Sequence, residues 1–203
     1  MKYIVLLFLT LSLYAEHVDD EIKNLYTKSY DYEGVGNYSE ALKVLAPLYA
    51  KYPKGYTLNL RFAWLFYLDK KYKNAETYYK SAALTSPYSI EAKLGLISVY
   101  LATASFTDAE LLSNEILKKD YYNYYANMYA TQALIAQKKY PEALSNVQKM
   151  LALYPTDVSY LELLAVIYKA TKHDYLHELY ENILILDPNN VFVKKILSAP
   201  KHI

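Results

Sequence analysis

The chain has 203 residues, of which 54% are hydrophobic, and its formal net charge at pH 7 is +1. This apolar content excludes a disordered chain, because disordered segments lack the hydrophobic residues that a core requires. The near-zero charge, with Arg61 as the single arginine, argues against a phosphate-binding surface, and we expect no nucleic acid partner. Four glycines are too few for a hairpin-rich β fold, so we expect a mostly helical protein.

The first fifteen residues, MKYIVLLFLTLSLYA, have the pattern of a secretory signal peptide. Lys2 provides the positive charge, an apolar run follows it, and Ala15 is a small residue at which signal peptidase could cut. We expect an exported protein, periplasmic in a Gram-negative cell, with residues 1–15 removed and no integral membrane span afterwards. Because Leu13 is bulky for the position it holds before the cut, an uncleaved anchor is the alternative. The chain has no cysteine for lipid attachment or disulfides.

The rest of the sequence contains an internal repeat of 34 residues. Alanine recurs at this spacing, at Ala41, Ala75, Ala109 and Ala143. Proline lies near the end of four of the five repeats, at Pro53, Pro87, Pro155 and Pro188. The first three prolines keep the 34-residue phase, and Pro188 follows Pro155 after 33 residues. A fixed period of this length is typical of repeat proteins. It predicts repeats at 22–55, 56–89, 90–123, 124–157 and 158–190, followed by a short capping helix within 191–203.

The skeleton of each repeat resembles that of the tetratricopeptide repeat family. The fifth repeat shows it most fully, as Leu161-x2-Leu164-Ala165-x2-Tyr168 and then Tyr180-x7-Pro188. The resemblance covers residues 16–203 and implies an all-α fold, a right-handed α-solenoid of about five helix-turn-helix repeats. The apolar residues of each first helix form a stripe that the following helix must cover, so stability comes from stacked neighbours.

In this family the first helix of each repeat lines a concave groove. Carried to this sequence, the resemblance gives a groove lined by Tyr26, Tyr30, Leu60, Trp64, Tyr67, Leu94, Tyr125, Met128 and Gln132. Further groove positions are Lys23, Glu33, Thr57, Glu91, Ser98, Leu101, Ile135, Ser159, Glu162, Val166 and Lys169. Aromatic and methionine side chains with few charges are typical of protein-binding surfaces. We therefore expect a protein or peptide partner with apolar anchors. The alternative is that these tyrosines only pack against neighbouring helices.

The stretch YYNYYANMY, residues 121–129, has five tyrosines in nine positions. It could be a low-complexity segment or a junction between two repeats. Tyr121 occupies the position that Pro53, Pro87 and Pro155 hold in the other repeats, and the 34-residue phase continues through it. We therefore interpret the stretch as a repeat junction.

Two prolines fall within predicted helices. Pro141 lies in a first turn, where proline is tolerated. Pro47 lies inside the second helix of the first repeat, where it removes a hydrogen bond and clashes with the carbonyl of Lys43. We expect a kink or an early break at Pro47.

A metal site is the one catalytic or cofactor possibility that the sequence offers. His173 and His177 are four residues apart and could share a helical face with Glu181. The ordinary interpretation is that Asp174 caps a helix and both histidines are solvated. The sequence has no HExxH, no Gly-rich phosphate loop and no cysteine nucleophile, so we expect no catalysis, cofactor or metal.

These observations predict an exported, non-catalytic scaffold or adaptor of the cell envelope that binds protein or peptide. The capping helix, with Val191, Val193, Ile196 and Leu197 covering the last repeat, favours a monomer. The alternative is a structural array that associates with further copies of itself.

Overall fold

A computed structural model describes residues 20–198, and every regular element in that range is an α-helix. Within it the helices are α1 (residues 20–34), α2 (Tyr38–Lys51), α3 (Tyr56–Leu68), α4 (Tyr72–Thr85), α5 (Ile90–Ala102), α6 (Phe106–Leu117), α7 (Tyr124–Ala136), α8 (Tyr140–Leu153), α9 (Val158–Thr171), α10 (Leu176–Leu186) and α11 (Val191–Ser198). The predicted all-helical repeat fold with a short C-terminal helix is confirmed.

The helices follow the 34-residue period of the sequence. The first helices of successive pairs begin at Tyr56, Ile90, Tyr124 and Val158. The residue before each of the last two is a side-chain cap, because Asn123 accepts a hydrogen bond from the amide of Ala126 at 3.0 Å and Asp157 accepts one from Tyr160 at 3.1 Å. Such caps satisfy amides that have no partner within the helix, which fixes where the helix begins.

The ends of these first helices repeat as regularly as their starts. Each is followed by one residue in the left-handed conformation, and these residues are Gly36, Lys70, Ala104, Lys138 and Lys172, with φ between 55° and 74°. After α7, for example, the amide of Lys139 donates back to the carbonyl of Leu134 at 2.9 Å. This is the Schellman arrangement, which ends a helix and reverses the chain. Four of these five positions lack the glycine that usually holds them.

The chain divides after Val99 into two compact units. The core of the first unit contains Leu45 and Leu65, both fully buried, together with Phe62. The second unit has a core around Val147, Met150 and Tyr160 and another around residues of α9, α10 and α11. α5 carries the chain from one unit to the other.

Of the two alternatives expected at Pro47, the early break is wrong, and the kink stays a prediction. α2 continues from Tyr38 to Lys51 with Pro47 inside it. Pro47 and Lys43 are both exposed, so the carbonyl of Lys43 that the proline leaves without an amide partner lies on the solvent side of the helix. Packing of Leu45 and Leu48 into the core holds the helix on both sides of the proline.

The tyrosine-rich stretch 121–129 forms the turn before α7 and the first residues of that helix. The buried side-chain amide of Asn127 donates to the carbonyl oxygens of Tyr121 at 3.0 Å and Asn123 at 2.9 Å. Asn59 makes the equivalent bonds to Pro53 and Gly55. The same asparagine bridge therefore ties a turn to its helix at two places that are two periods apart.

The predicted signal peptide, residues 1–15, lies outside the described residues, as do the last five residues of the predicted cap. The part of the cap that is described, α11, begins at Val191, and the side chain of Asn190 accepts a hydrogen bond from the amide of Val193 at 2.9 Å. Val193 and Ile196 pack against the last repeat as expected, but the expectation is wrong for Val191 and Leu197, which are exposed. Between residues 20 and 198, no helix has the length and apolar character that a membrane crossing requires.

Candidate functional site

A pocket of about 420 Å³ lies in the first unit, at α1, α3 and the start of α5. We call it the Trp64 pocket. Its lining consists of Tyr26, Tyr30 and Glu33 of α1, Tyr56, Thr57, Leu60, Arg61 and Trp64 of α3, and Glu91 of α5. A volume of this size falls in the range of about 300–1,000 Å³ that small-ligand sites have. Tyr26, Tyr30, Leu60 and Trp64, predicted from the repeat phase, are brought together here.

Helical spacing explains why α3 supplies so much of this pocket. Thr57, Leu60 and Trp64 are three and four residues apart, so they share one side of the helix. Leu58, Phe62 and Leu65 lie on the other side and are buried in the core. Because the buried residues fix the orientation of α3, the other side of the helix faces the pocket.

The centre of the pocket wall is a buried ion pair. The guanidinium of Arg61, which is 6% exposed, donates to Oε2 of Glu33 through Nη1 and to the Ser29 hydroxyl at 3.1 Å through Nη2. The same guanidinium lies 3.8 Å from the centre of the Tyr30 ring. A charge taken out of water needs such partners, because desolvation alone would cost several kcal/mol. Arg61 therefore fixes the positions of Glu33 and Tyr30.

The second oxygen of Glu33 orients Trp64. The indole Nε1 donates to Oε1 of Glu33 at 2.7 Å, and the indole stacks on Tyr67 with ring centres 5.9 Å apart and planes 20° apart. Trp64 is nevertheless 42% exposed. The single tryptophan is thus held in one orientation with apolar area open to solvent.

The rim of the pocket at α5 carries a second carboxylate. The Tyr56 hydroxyl shares a hydrogen bond with the Ser89 hydroxyl and donates to Oε2 of Glu91 at 3.1 Å. Burial, and to a smaller extent Glu91, raises the pKa of Tyr56 above its ordinary value. The hydroxyl therefore keeps its proton at neutral pH and remains a donor to Glu91.

The other predicted residues of the first unit have different surroundings. Tyr67 does not line the pocket but supports Trp64 by stacking. Leu94 is half-buried on α5 and is not part of the pocket wall. Tyr26 does line the pocket, and its hydroxyl donates to Thr57 at 3.4 Å.

The three predicted residues of α7 belong to the second unit. Tyr125 is 55% exposed, with its ring 5.2 Å from that of Tyr124 and 6.3 Å from that of Tyr129. Met128 packs against the core of the second unit, and Gln132 is half-buried. Tyr125 is the member of this set that presents a large apolar surface.

Sequence reasoning missed Arg61 and Tyr56 and described the lining as less charged than it is. Only fixed positions of each repeat were assigned to the groove, and neither residue holds one. A signal was present for Arg61. It is the single arginine of the chain, and it stands between Leu60 and Phe62 in an apolar helix, where a charge must find a partner.

The two histidines of the metal hypothesis do not share a helix. His173 lies before α10, and its ring stacks on Tyr168 with centres 3.8 Å apart. His177 lies on α10 with Nε2 3.3 Å from Glu181. The expected cap by Asp174 is wrong, because α10 begins at Leu176 and its capping position is Tyr175. Among residues 20–198, no three His, Cys, Asp or Glu side chains come together in a way that could hold a metal ion.

Comparison with known proteins gives one family and a set of similar structures. A tetratricopeptide repeat family model matches residues 26–90, which include most of the Trp64 pocket. No protein of curated function matches the sequence.

Among solved structures, a tetratricopeptide repeat protein from Parabacteroides merdae is similar with a TM-score of 0.75 and 19% identity, over 87% of this chain and 70% of that one. MamA from Desulfovibrio magneticus is similar with a TM-score of 0.73 and 16% identity, over 85% of this chain and 98% of its own. YrrB, described as a tetratricopeptide repeat protein with an unusual peptide-binding site, has a TM-score of 0.66 and 12% identity, over 86% and 91%.

At these identities the structures show the fold alone, and the family model covers residues 26–90. The helix pairs outside residues 26–90 repeat at the same 34-residue interval, and the first helix of each pair ends in the same left-handed turn. Residues 26–90 thus match the tetratricopeptide repeat family, and the described helices share the fold of solved tetratricopeptide repeat proteins.

Proposed function

We propose that this protein is a scaffold or adaptor of the cell envelope that binds a protein or peptide partner through the Trp64 pocket. Tetratricopeptide repeat proteins are in general non-catalytic scaffolds for protein interaction. The proposal adds the place of binding, the kind of ligand and the compartment to that general role.

The observation that carries the place of binding is the state of Trp64. Tryptophan is enriched among the few residues that contribute most to the free energy of binding at protein interfaces. Here Glu33 satisfies the indole N–H and Tyr67 supports the ring, while 42% of the residue stays exposed. A side chain that is already oriented loses little conformational freedom when a partner covers it.

The surroundings of Trp64 suit an extended or helical peptide. Tyr26, Tyr30 and Leu60 add aromatic and aliphatic area around it. Apolar anchors of a peptide bury such area and supply most of the affinity in this mode of recognition. The peptide-binding site of YrrB, which shares the fold at a TM-score of 0.66, supports the same class of ligand for this chain.

The binding test uses Trp64 as its own reporter, because it is the single tryptophan. A partner captured from the native envelope should shift Trp64 emission, and Trp64→Ala should weaken its binding by about 2 kcal/mol, or roughly thirtyfold. Tyr52→Ala is the matched control, since Tyr52 is also 42% exposed in the first unit but does not line the pocket. A partner that binds with unchanged emission and tolerates Trp64→Ala would place binding elsewhere.

The proposed compartment rests on the sequence of residues 1–15. If the signal peptide is cleaved after Ala15, protein purified from the native host has Glu16 as its first residue. Its intact mass decides this, and a species that retains Met1 would mean an anchor instead. Light scattering on the same material tests the alternative of a self-associating array, which requires a mass that rises with concentration.

A further inference from the structure

The charges of the Trp64 pocket do not cancel. Glu33 and Glu91 contribute two carboxylates, and Arg61 contributes one guanidinium. Arg61 is committed to Glu33, which lines the pocket, and to the buried Ser29 hydroxyl behind it. One carboxylate, that of Glu91, remains without a charged partner among the described residues. The pocket therefore carries an excess negative charge next to its open rim.

The two carboxylates differ in what they can still accept. Both oxygens of Glu33 are occupied, one by Arg61 and the other by Trp64. Glu91 is exposed and accepts from Tyr56 through Oε2. In the described part of the chain, no hydrogen bond or ion pair occupies Oε1 of Glu91. That oxygen can accept from a ligand without breaking a contact that the protein already makes.

The aromatic side chains beside Glu91 also favour a cation. Tyr26, Tyr30, Tyr56 and Trp64 line the pocket, and the faces of such rings attract ammonium and guanidinium groups. The structure already shows one such contact, the guanidinium of Arg61 at 3.8 Å from the centre of the Tyr30 ring. A lysine side chain fits this environment, because its apolar stem packs on the rings while its ammonium reaches the carboxylate.

An acidic ligand group does not fit the same pocket. Arg61 is buried, and each of its three guanidinium nitrogens already donates to Glu33 or Ser29. A carboxylate placed in the pocket would face Glu33 and Glu91 without a free cation to offset the repulsion. Repulsion of this kind is a means of rejecting the wrong ligand.

We propose that the Trp64 pocket takes a lysine side chain of the bound peptide, with Glu91 as the residue that pairs with its ammonium. This inference rests on the proposed function, since it names the chemistry of one side chain of the same ligand. It also changes the sequence-based expectation of purely apolar anchors, because Glu91 and the aromatic rings act together on one basic group.

The test uses three acetylated and amidated pentapeptides that differ only at the centre, as Ala-Ala-X-Ala-Ala with X being lysine, norleucine or glutamate. Norleucine keeps the four-carbon stem of lysine and lacks its ammonium group. Titration is followed by Trp64 emission. The lysine peptide should give a saturable change and bind at least about tenfold more tightly than the norleucine peptide, with the glutamate peptide weakest. The preference for lysine should shrink at high salt, because screening weakens an exposed ion pair.

Two charge variants locate the effect. Glu91→Gln keeps the shape and should weaken the lysine peptide about tenfold while leaving the norleucine peptide unchanged. Asp31→Asn removes the same charge from an exposed position of α1 that does not line the pocket, and it should change neither peptide. Both residues are exposed, so the helical signal of each variant should match that of the parent.

Three outcomes overturn the inference. The first is no change of Trp64 emission with the lysine peptide. The second is equal or tighter binding of the norleucine or glutamate peptide, and the third is an equal effect of Glu91→Gln and Asp31→Asn. If the norleucine peptide shifts Trp64 emission as strongly as the lysine peptide, the cation preference fails while the peptide-binding pocket stands. The pocket itself fails only if the captured partner ignores Trp64→Ala.

Discussion

In the first unit, position 61 is a buried arginine that holds Glu33, Ser29 and the Tyr30 ring, and Trp64 beside it is fixed by the same glutamate. Two periods later, in the second unit, the equivalent positions are Tyr129 and Gln132. There the side chains around Tyr125 contact one another as neutral rings, from Tyr124 to Tyr125 at 5.2 Å and from Tyr125 to Tyr129 at 6.3 Å. The first unit therefore fixes the side chains at these repeat positions by an ion pair, and the second unit surrounds them with aromatic contacts.

The difference shows that the repeat fixes positions and leaves their chemistry free. A ring can lie half-buried without a specific partner, whereas a buried guanidinium requires an acceptor in a defined place. The charged arrangement of the first unit therefore requires more defined packing, since Arg61 of α3 needs Glu33 of α1 as its acceptor. The surface that it organises is the one with a pocket and an oriented tryptophan.

The largest effect that this comparison predicts is the loss of Arg61. Arg61→Ala leaves Glu33 facing a void without its cation and should lower the free energy of unfolding by about 3 kcal/mol. Tyr129→Phe, at the equivalent position of the second unit, should change it by less than about 0.5 kcal/mol, because it removes no charge and little area. Urea unfolding of both variants provides the measurement.

A second variant separates the unpaired charge from the lost packing. Adding Glu33→Gln to Arg61→Ala removes the orphaned carboxylate and should recover part of the loss. If the double variant is as unstable as Arg61→Ala alone, the ion pair contributes to stability only through packing. The contrast between a charged and a neutral unit then does not hold.

The same repeat position has a third occupant, Gly95, and its substitution should have the next largest effect. A Cβ added at Gly95 would lie 2.1 Å from Cε1 of Tyr79, a ring that is 6% exposed. Because the ring is buried and must shift to relieve this contact, Gly95→Ala should cost about 2 kcal/mol. Gly34→Ala is the control, since no atom lies within 4 Å of its added Cβ, and it should be neutral or slightly stabilising.

Thermal or urea unfolding of the two glycine variants decides this prediction. Equal stability of Gly95→Ala and the parent would mean that Tyr79 can move aside, and that this position tolerates any side chain. A loss of stability in Gly95→Ala would show that the neighbours of this repeat position determine its residue. They would select a charged side chain at Arg61, an aromatic ring at Tyr129 and no side chain at Gly95.

The contrast between charged and neutral surroundings also exists within the second unit. Glu110 accepts hydrogen bonds from Lys139 at 2.8 Å and from Gln137 at 2.7 Å. The positions equivalent to Glu110, Gln137 and Lys139 one period later are occupied by Leu144, Thr171 and His173. These three residues line an apolar pocket of about 450 Å³. The hydrogen bond from Lys139, more than any other contact, lowers the pKa of Glu110 below its ordinary value of 4.5.

A carboxyl group whose pKa is lowered by folding stabilises the protein above its ordinary pKa and loses that contribution as the pH falls through the lowered value. Glu110→Gln should therefore reduce the free energy of unfolding by about 1 kcal/mol near pH 7, and the difference should disappear towards about pH 3. Glu142→Gln, at an exposed site on α8, should show a smaller difference at both pH values. A deficit of Glu110→Gln that persists in acid would contradict the role of the ionised carboxylate.

The sequence predicted the fold well because the fold depends on a period. The alanine and proline spacing gave the helix pairs and the last short helix, since each feature recurs in the same place and errors in one repeat are corrected by the others. Single-residue rules did less well. Pro47 does not break α2 because core packing on both sides outweighs one lost hydrogen bond at the surface. Asp174 does not cap α10 because the helix begins two residues later.

The candidate site was predicted in outline only. The repeat phase identified Tyr26, Tyr30 and Trp64, because side chains at fixed helical positions face the same side. It could not show that Arg61 reaches Glu33 across 28 residues, since that contact depends on how two helices pack. The left-handed turns could not be predicted from the sequence for another reason. Glycine usually marks such a turn, but lysine stands at positions 138 and 172.

Those left-handed turns give the smallest predicted effect, and it falls mainly on the second unit. The first unit has Gly36 at one of its turns, whereas the second has Ala104, Lys138 and Lys172. A side chain in this conformation costs about 1–2 kcal/mol, and glycine avoids that cost but adds about 0.5–1 kcal/mol through the greater freedom of the unfolded chain. Lys172→Gly should therefore stabilise the protein by about 0.5 kcal/mol, whereas Lys169→Gly, within α9, should destabilise it by about 1 kcal/mol. Urea midpoints measured side by side test the opposite signs, and a loss of stability in both variants would mean that Lys172 makes contacts worth more than its strain.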